Sequence, residues 1–160
     1  MLPLLYLVQG EHGYVSPEGL AEIASMLGLT KAEVAGVATF YTMFKREPQG
    51  KWLVSVCTQP ACALAGAGAV VSALEEELGV PCGRSAGDVS IEEAECLCEC
   101  DAAPVVSLNY DNYGNVTPEQ IIEIVRSVRA GEAPPPALHG EVPEDLPTVH
   151  RRLSGVEAPR

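Results

Sequence analysis

Apolar positions in the first 45 residues recur at helical spacing. Leu20, Ile23, Ala24 and Leu27 follow the start signal Ser16-Pro17-Glu18, an N-cap serine, a proline at the first helical position and an acid in the first turn. Gly28 ends that helix. Thr30-Lys31-Ala32-Glu33 is a capping box, and it opens a further helix carrying Val34, Val37, Ala38 and Tyr41. Residues 1–8 are apolar almost throughout and read as a buried helix. They lack the basic start and small-residue cleavage site of a signal peptide. Phe40, Tyr41 and Phe44 form an aromatic cluster, expected to pack in a core or domain interface, with contact to a partner protein as the alternative.

After the turn Glu47-Pro48-Gln49-Gly50 the pattern changes. Trp52, Val54 and Val56 alternate with Leu53 and Ser55, which predicts a half-buried strand ending at Cys57. Residues 61–78 predict one helix, in which Gly66 and Gly68 suggest close packing rather than a break. Residues 89–94 predict a short strand and 105–108 a firmer one, with Asp111-Asn112-Tyr113-Gly114-Asn115 as a hairpin turn. Thr117-Pro118-Glu119-Gln120 repeats the capping logic and starts a last helix with Ile121, Ile124, Val125 and Val128 on one face. From Gly131 onward the chain holds six of its 13 prolines and shows no periodicity. The expected organisation is α+β: a helical subdomain at 1–48, an α/β domain at 49–131, and an extended or disordered tail at 132–160 unless a partner orders it.

Composition narrows the function classes. At 160 residues, 47% hydrophobic and 20% charged, the chain can bury a core without disulfides. No apolar run approaches the roughly 20 residues of a membrane span, so no direct membrane insertion is expected. The net charge of −12 argues against nucleic acid and anionic membrane surfaces as partners. Without a signal peptide the expected compartment is the cytoplasm, where six cysteines point to metal or redox chemistry rather than staples. Residues 75–101 carry Glu75, Glu76, Glu77, Asp88, Glu92, Glu93, Glu95, Glu99 and Asp101 against the single base Arg84. These acids read as a solvated surface; beside a redox centre they would also disfavour uptake of an electron. No G-x-G-x-x-G follows a strand and no P-loop is present, so no nucleotide site and no catalytic residue is expected in this chain.

The chemistry concentrates in the cysteines. Cys57-Thr-Gln-Pro-Ala-Cys62 and Cys96-Leu-Cys-Glu-Cys100 form two pairs placed at predicted loop ends. Spacing alone leaves several readings open: a [2Fe–2S] cluster with four thiolate ligands, a structural zinc, or a dithiol. Zinc usually shows shorter C-x2-C knuckles, and the C-x-x-C redox signature is absent. Cys82 and Cys98 lie outside the pairing and read as spare thiols, with Cys98 placed to compete for a metal.

The order Cys57-x4-Cys62 … Cys96-x3-Cys100-x2-Ala103-Pro104 resembles the thioredoxin-like [2Fe–2S] ferredoxin family. More narrowly it resembles the 24 kDa (E) subunits of NADH–quinone oxidoreductase, respiratory complex I. Gly36-Val37-Ala38-Thr39-Phe40-Tyr41 is similar to a stretch of their helical N-terminal part, and Cys62-Ala63-Leu64-Ala65-Gly66-Ala67 to the segment after their second ligand. Cys98 departs from the pattern, where glycine is usual. The resemblance implies a thioredoxin-like domain with Cys57, Cys62, Cys96 and Cys100 as cluster ligands and a cis bond before Pro104. It further implies an electron-transfer subunit that passes single electrons to and from FMN. FMN and NADH would belong to a partner flavoprotein subunit, among other peripheral-arm subunits on the inner face of the cell membrane. A formate dehydrogenase or hydrogenase using the same module, or a zinc-stabilised interaction module, are the alternatives.

Overall fold

The computed structural model describes residues 1–156; residues 157–160 of the expected tail lie outside the described residues. Two compact units emerge. One gathers Met1–Gln49 with the chain from Asp145, and the other is Gly50–Glu144.

In the first unit, α2 (Pro17–Leu27) and α3 (Lys31–Phe40) follow the sequence signals, while α1 (Leu2–His12) forms a helix but not a buried one: within residues 1–8 only Leu5 is buried, and Leu2 and Pro3 are exposed. The Ser16 hydroxyl accepts from the Gly19 N–H, and Thr30 and Glu33 close the capping box. Leu5, Val15, Ile23, Val34 and Phe44 form the core. The aromatic cluster divides. Phe44 is buried against Tyr6, with ring centroids 4.9 Å apart. Phe40 is 77% exposed, and Tyr41 is exposed too, because α3 stops there and Tyr41 leaves in an extended conformation.

The expected tail is not one extended segment. A helix, α7 (Leu146–Leu153), stands where the sequence shows no periodicity, capped by Asp145 with Pro147 in its first turn. Proline is tolerated there because the first-turn N–H has no helical partner. Leu146, Val149 and His150 are its buried face, and it packs on α1. His150 bonds the buried Gln9, their Nε2 atoms 3.1 Å apart. The Gln9 amide is fixed at both ends: its Nε2 donates to the Met43 carbonyl at 2.9 Å and its Oε1 accepts from the Lys45 N–H at 2.6 Å. The Gln9 amide therefore donates to His150, which must be neutral at Nε2.

The second unit is a five-stranded sheet in the order β2-β3-β1-β4-β5. β1 (Trp52–Cys57) is central, parallel to β3 (Val89–Ala94) and antiparallel to β4 (Val106–Leu108). Both the short β2 (Ser85–Ala86) and β5 (Asp111–Tyr113) are edge strands, paired antiparallel to β3 and β4. β1 is buried from Leu53 to Cys57, on both faces and not one. α5 (Ala67–Leu78) and α6 (Pro118–Arg129) pack together and supply Val70, Leu74, Ile121 and Val125 to the core.

Two local expectations change. The predicted helix 61–78 is α4 (Pro60–Leu64) and α5 separated at Gly66, whose φ of +101° favours glycine. A Cβ at Gly66 or Gly68 would meet nothing within 4 Å, so neither glycine marks close packing. The hairpin turn falls at Asn109-Tyr110, both at positive φ, with Leu108 facing Asp111. The buried Asn109 side chain holds it, accepting from the Leu53 N–H at 2.7 Å and donating to the Lys51 and Glu144 carbonyls. Among the described residues no single helix is long and apolar enough to cross a membrane.

Burial holds the His150 imidazolium off, and the charge of Lys45 adds to this, bringing its pKa from 6.5 to about 4. The neutral form is the docked one, so its stability is present above pH 6.5 and is lost as pH falls toward 4. Thermal unfolding followed from pH 7 to pH 4.5 should show the wild type losing stability more steeply than His150→Gln, with a difference of up to about 3 kcal/mol.

Candidate metal centre

The cysteine site begins with strand register. Parallel β1 and β3 end level, Cys57 opposite Ala94, so the loops after both strands leave the sheet at the same edge. The Thr58 N–H donates to the Ala94 carbonyl at 3.2 Å and the Cys57 N–H to the Val105 carbonyl at 3.0 Å, tying the two loop mouths to the start of β4. Cys62 comes from α4, one turn after Cys57 leaves the strand. Cys96 lies in the loop after β3, and Cys100 opens a single 3₁₀ turn, Cys100–Ala102. Cys57 and Cys62 are each 1% exposed and belong to the sheet core; Cys96, Cys98 and Cys100 face solvent.

The thiols lean on each other electrostatically. Burial pushes the Cys62 thiol up; the Val105 backbone opposes this, and contact with Cys57 and the charges of Cys57 and Cys96 push it further. Cys96 is held low, first by the Cys98 N–H donated to its sulfur and then by the Cys100 thiol. Cys100 is pushed up, first by sharing its proton with Cys96, then by the Cys96 charge and burial, with Cys62 and Cys57 adding. Cys62 and Cys100 therefore sense the charges of Cys57 and Cys96, which make their own thiolates harder to form. A cationic centre relieves that repulsion.

The Cys96 and Cys100 sulfurs are 3.6 Å apart, near the edge of about 3.8 Å that two thiolates span on a tetrahedral metal at about 2.3 Å. Among the described residues, no three His, Cys, Asp or Glu side chains stand close enough to hold a single metal ion. A binuclear iron–sulfur cluster instead takes thiolates two to each iron, and the donor set of four converging thiols fits it.

The remaining candidates sort clearly. Cys98 sits at φ +65°, a glycine-favouring conformation, and its N–H donates to the Cys96 sulfur at 3.4 Å. Its own thiol is pushed up by the Cys96 charge. Cys82 has Glu93, Glu75 and Glu92 as electrostatic neighbours. The acids do not converge on the cysteines as a group. Glu75 accepts from the Cys82 N–H, Glu77 pairs with Arg126, Asp88 with Lys51, and Glu92 bonds Ser55. The bond between Ala103 and Pro104 is cis.

Three residues that sequence pattern does not single out support the loop 96–100. The Asn112 amide donates to the Leu97 carbonyl at 3.4 Å. His139 pairs with Glu99 at 2.8 Å. Gly114 backs the 3₁₀ turn so closely that a Cβ there would lie 2.5 Å from Ala102 Cβ. Of the three, Asn112 and Gly114 carry a local signal, and that signal is of a turn.

A thioredoxin-like sheet with four thiols gathered at one end is the arrangement of a ferredoxin-type fold, and comparison with known proteins agrees. The chain belongs to the thioredoxin-like [2Fe–2S] ferredoxin family, whose model matches residues 1–129. It is 48% identical over 132 residues to the E subunit of NADH-quinone oxidoreductase from Mycobacterium bovis and from Mycobacterium tuberculosis, over 81% of this chain and 52% of theirs. It thus spans about half the length of these relatives. NADH-quinone oxidoreductase subunit 2 of Thermus thermophilus is 38% identical over 135 residues, 82% of this chain and 75% of that protein. An air-oxidised NAD+-reducing [NiFe]-hydrogenase shares the fold, with a TM-score of 0.69 at 20% identity over 80% of this chain and 23% of that one.

Gly114→Ala should drive Ala102 and the turn behind Cys100 outward and cost about 1–3 kcal/mol in chemical denaturation. Cys98→Gly relieves a positive-φ side chain and should leave stability within about 1 kcal/mol of wild type.

Proposed function

We propose that Cys57, Cys62, Cys96 and Cys100 hold one [2Fe–2S] cluster, and that the chain is the iron–sulfur electron-transfer subunit of the NADH-oxidising module of NADH–quinone oxidoreductase. The observation that carries this is the gathering of four cysteines where the loops leave the level ends of β1 and β3, with the Cys96 and Cys100 sulfurs 3.6 Å apart and Cys62 and Cys100 both sensing the charges of Cys57 and Cys96. The mycobacterial and Thermus relatives, subunits of that enzyme, support the choice of assembly.

When bound, the cluster supplies storage of one electron. The chain's own residues set its surroundings. Cys57 and Cys62 grip it from the sheet core, where Val56, Val105 and Val106 exclude water. Cys96 and Cys100 grip it from an exposed loop, so that side is open to a partner. The Cys98 N–H donates to the Cys96 sulfur and stabilises negative charge there. The protein's part is therefore ligation, insulation on one side and access on the other. FMN and NADH are held by a partner flavoprotein subunit, with which this chain exchanges single electrons. The active site is completed only in the complex, which sits with other peripheral-arm subunits against the inner face of the cell membrane.

Anaerobic purification, assay of iron, zinc and acid-labile sulfide, and electron paramagnetic resonance after dithionite reduction test the reading. About two irons and two sulfides per chain with a reduced-state signal are expected. Cys57→Ala and Cys62→Ala should abolish both, and Cys98→Gly should keep them. Zinc without sulfide in fresh protein, or a full cluster in Cys57→Ala, would overturn the assignment.

A further inference from the structure

The segment that follows α6 lies beyond the matched stretch 1–129 and forms no helix or strand before α7. It is nonetheless tied down. The Tyr113 hydroxyl donates to the Pro135 carbonyl at 2.6 Å, and the Leu138 N–H to the Asn112 carbonyl at 2.7 Å. A turn closed by the Ala137 N–H on the Glu141 carbonyl at 2.6 Å presents His139. Pro134 and Ala137 are buried. The run thus covers β5, the last strand of the sheet, whose outer backbone groups need a partner.

Its far side meets the cysteine loop. His139 Nε2 pairs with Glu99 Oε1 at 2.8 Å, one residue before Cys100. Asn112 joins the same three parts: its carbonyl accepts from Leu138 while its amide donates to Leu97, one residue after Cys96. Leu97 packs against the sheet core from the inner side of this loop, while Cys96, Cys98 and Cys100 are exposed and Cys98 sits at a positive φ, so the solvent side is where the loop needs support.

We propose that residues 133–141 are a clasp on the 96–100 loop, with His139 as its positioning residue: the pair with Glu99, backed by Asn112, holds the loop that presents Cys96 and Cys100 and slows escape of the metal centre. This rests on the ligand assignment proposed above. His139 contributes as a cation. Glu99 holds its pKa above the usual imidazole value, first by hydrogen bonding and then by charge, and Glu141 on its own segment adds to this. The pair is therefore complete below that raised pKa and is lost as pH rises through it.

The test follows iron release from the anaerobically purified full chain, mixed with excess EDTA, by the decay of its visible absorbance. At pH 6, His139→Gln and Glu99→Gln should each release iron roughly two- to fivefold faster than wild type, the range an exposed ion pair carries. The double variant should be no faster than either single one. The ratio of His139→Gln to wild type should fall toward one at pH 9, and His139→Lys, which keeps its charge there, should be slower than wild type at pH 9. A clasp that acts only by packing would not move with pH. Wild-type release rates in His139→Gln at pH 6, or additive effects in the double variant, overturn the clasp while leaving the ligands intact. A wild-type chain that binds no iron and sulfide overturns both.

Discussion

The site depends on the parallel pairing of β1 with β3, because it makes two strands end at the same height. Cys57 closes one strand opposite Ala94, the last residue of the other. Only then do the loops carrying Cys62 and Cys96 start from neighbouring points. A one-residue slip in this register would turn Val54 and Val56 off the face they fill and carry one loop mouth away from the other. The pairing is held by burial: every residue of β1 from Leu53 onward is in the core, and Asn109 anchors its first bonds from the β4–β5 turn. The same packing that stabilises the sheet therefore sets the spacing of the sulfurs.

Around that frame the site is two-sided. Its inner thiols are embedded among valines, where an uncompensated thiolate is costly. Its outer thiols stand on a short, irregular loop in water, steadied by a backbone N–H, an asparagine amide and an ion pair. The inner half is fixed by the hydrophobic core and the outer half by polar contacts that are individually weak. The geometry of the outer half is thus the more adjustable of the two.

Much of this is legible in the sequence, and the exceptions have physical causes. Both capping boxes, at Thr30–Glu33 and Thr117–Gln120, mark helix starts directly, since each rests on a local bond between residues three apart. The limits of β1 and β3 follow from β-branched alternation closed by turn residues. The cysteine spacing points to one site because ligand residues must lie at loop ends. Where tertiary contacts decide, sequence pattern misleads. Tyr110 is a poor residue for positive φ, so the richer Asp111–Asn115 run masks the Asn109-Tyr110 turn. Nothing local distinguishes Gly66 as a helix break. α7 is hidden because its buried face includes a histidine, whose partner Gln9 lies far away in sequence. Glu99 and His139, 40 residues apart, illustrate the same limit.

The interleaving of the two units bears on the order in which the chain is assembled during synthesis. Gly50–Glu144 is one uninterrupted stretch, so its sheet can close as soon as α6 has left the ribosome. The first unit cannot: α1 emerges early, yet the helix that covers it, α7, is translated after the whole second unit. At about 5–20 residues per second, α1 waits many seconds with the face bearing Gln9 and Gly10 uncovered. The earlier of the two stretches is therefore completed last, and the growing chain must keep an apolar helix from wrong contacts while Gly50–Glu144 is already folding.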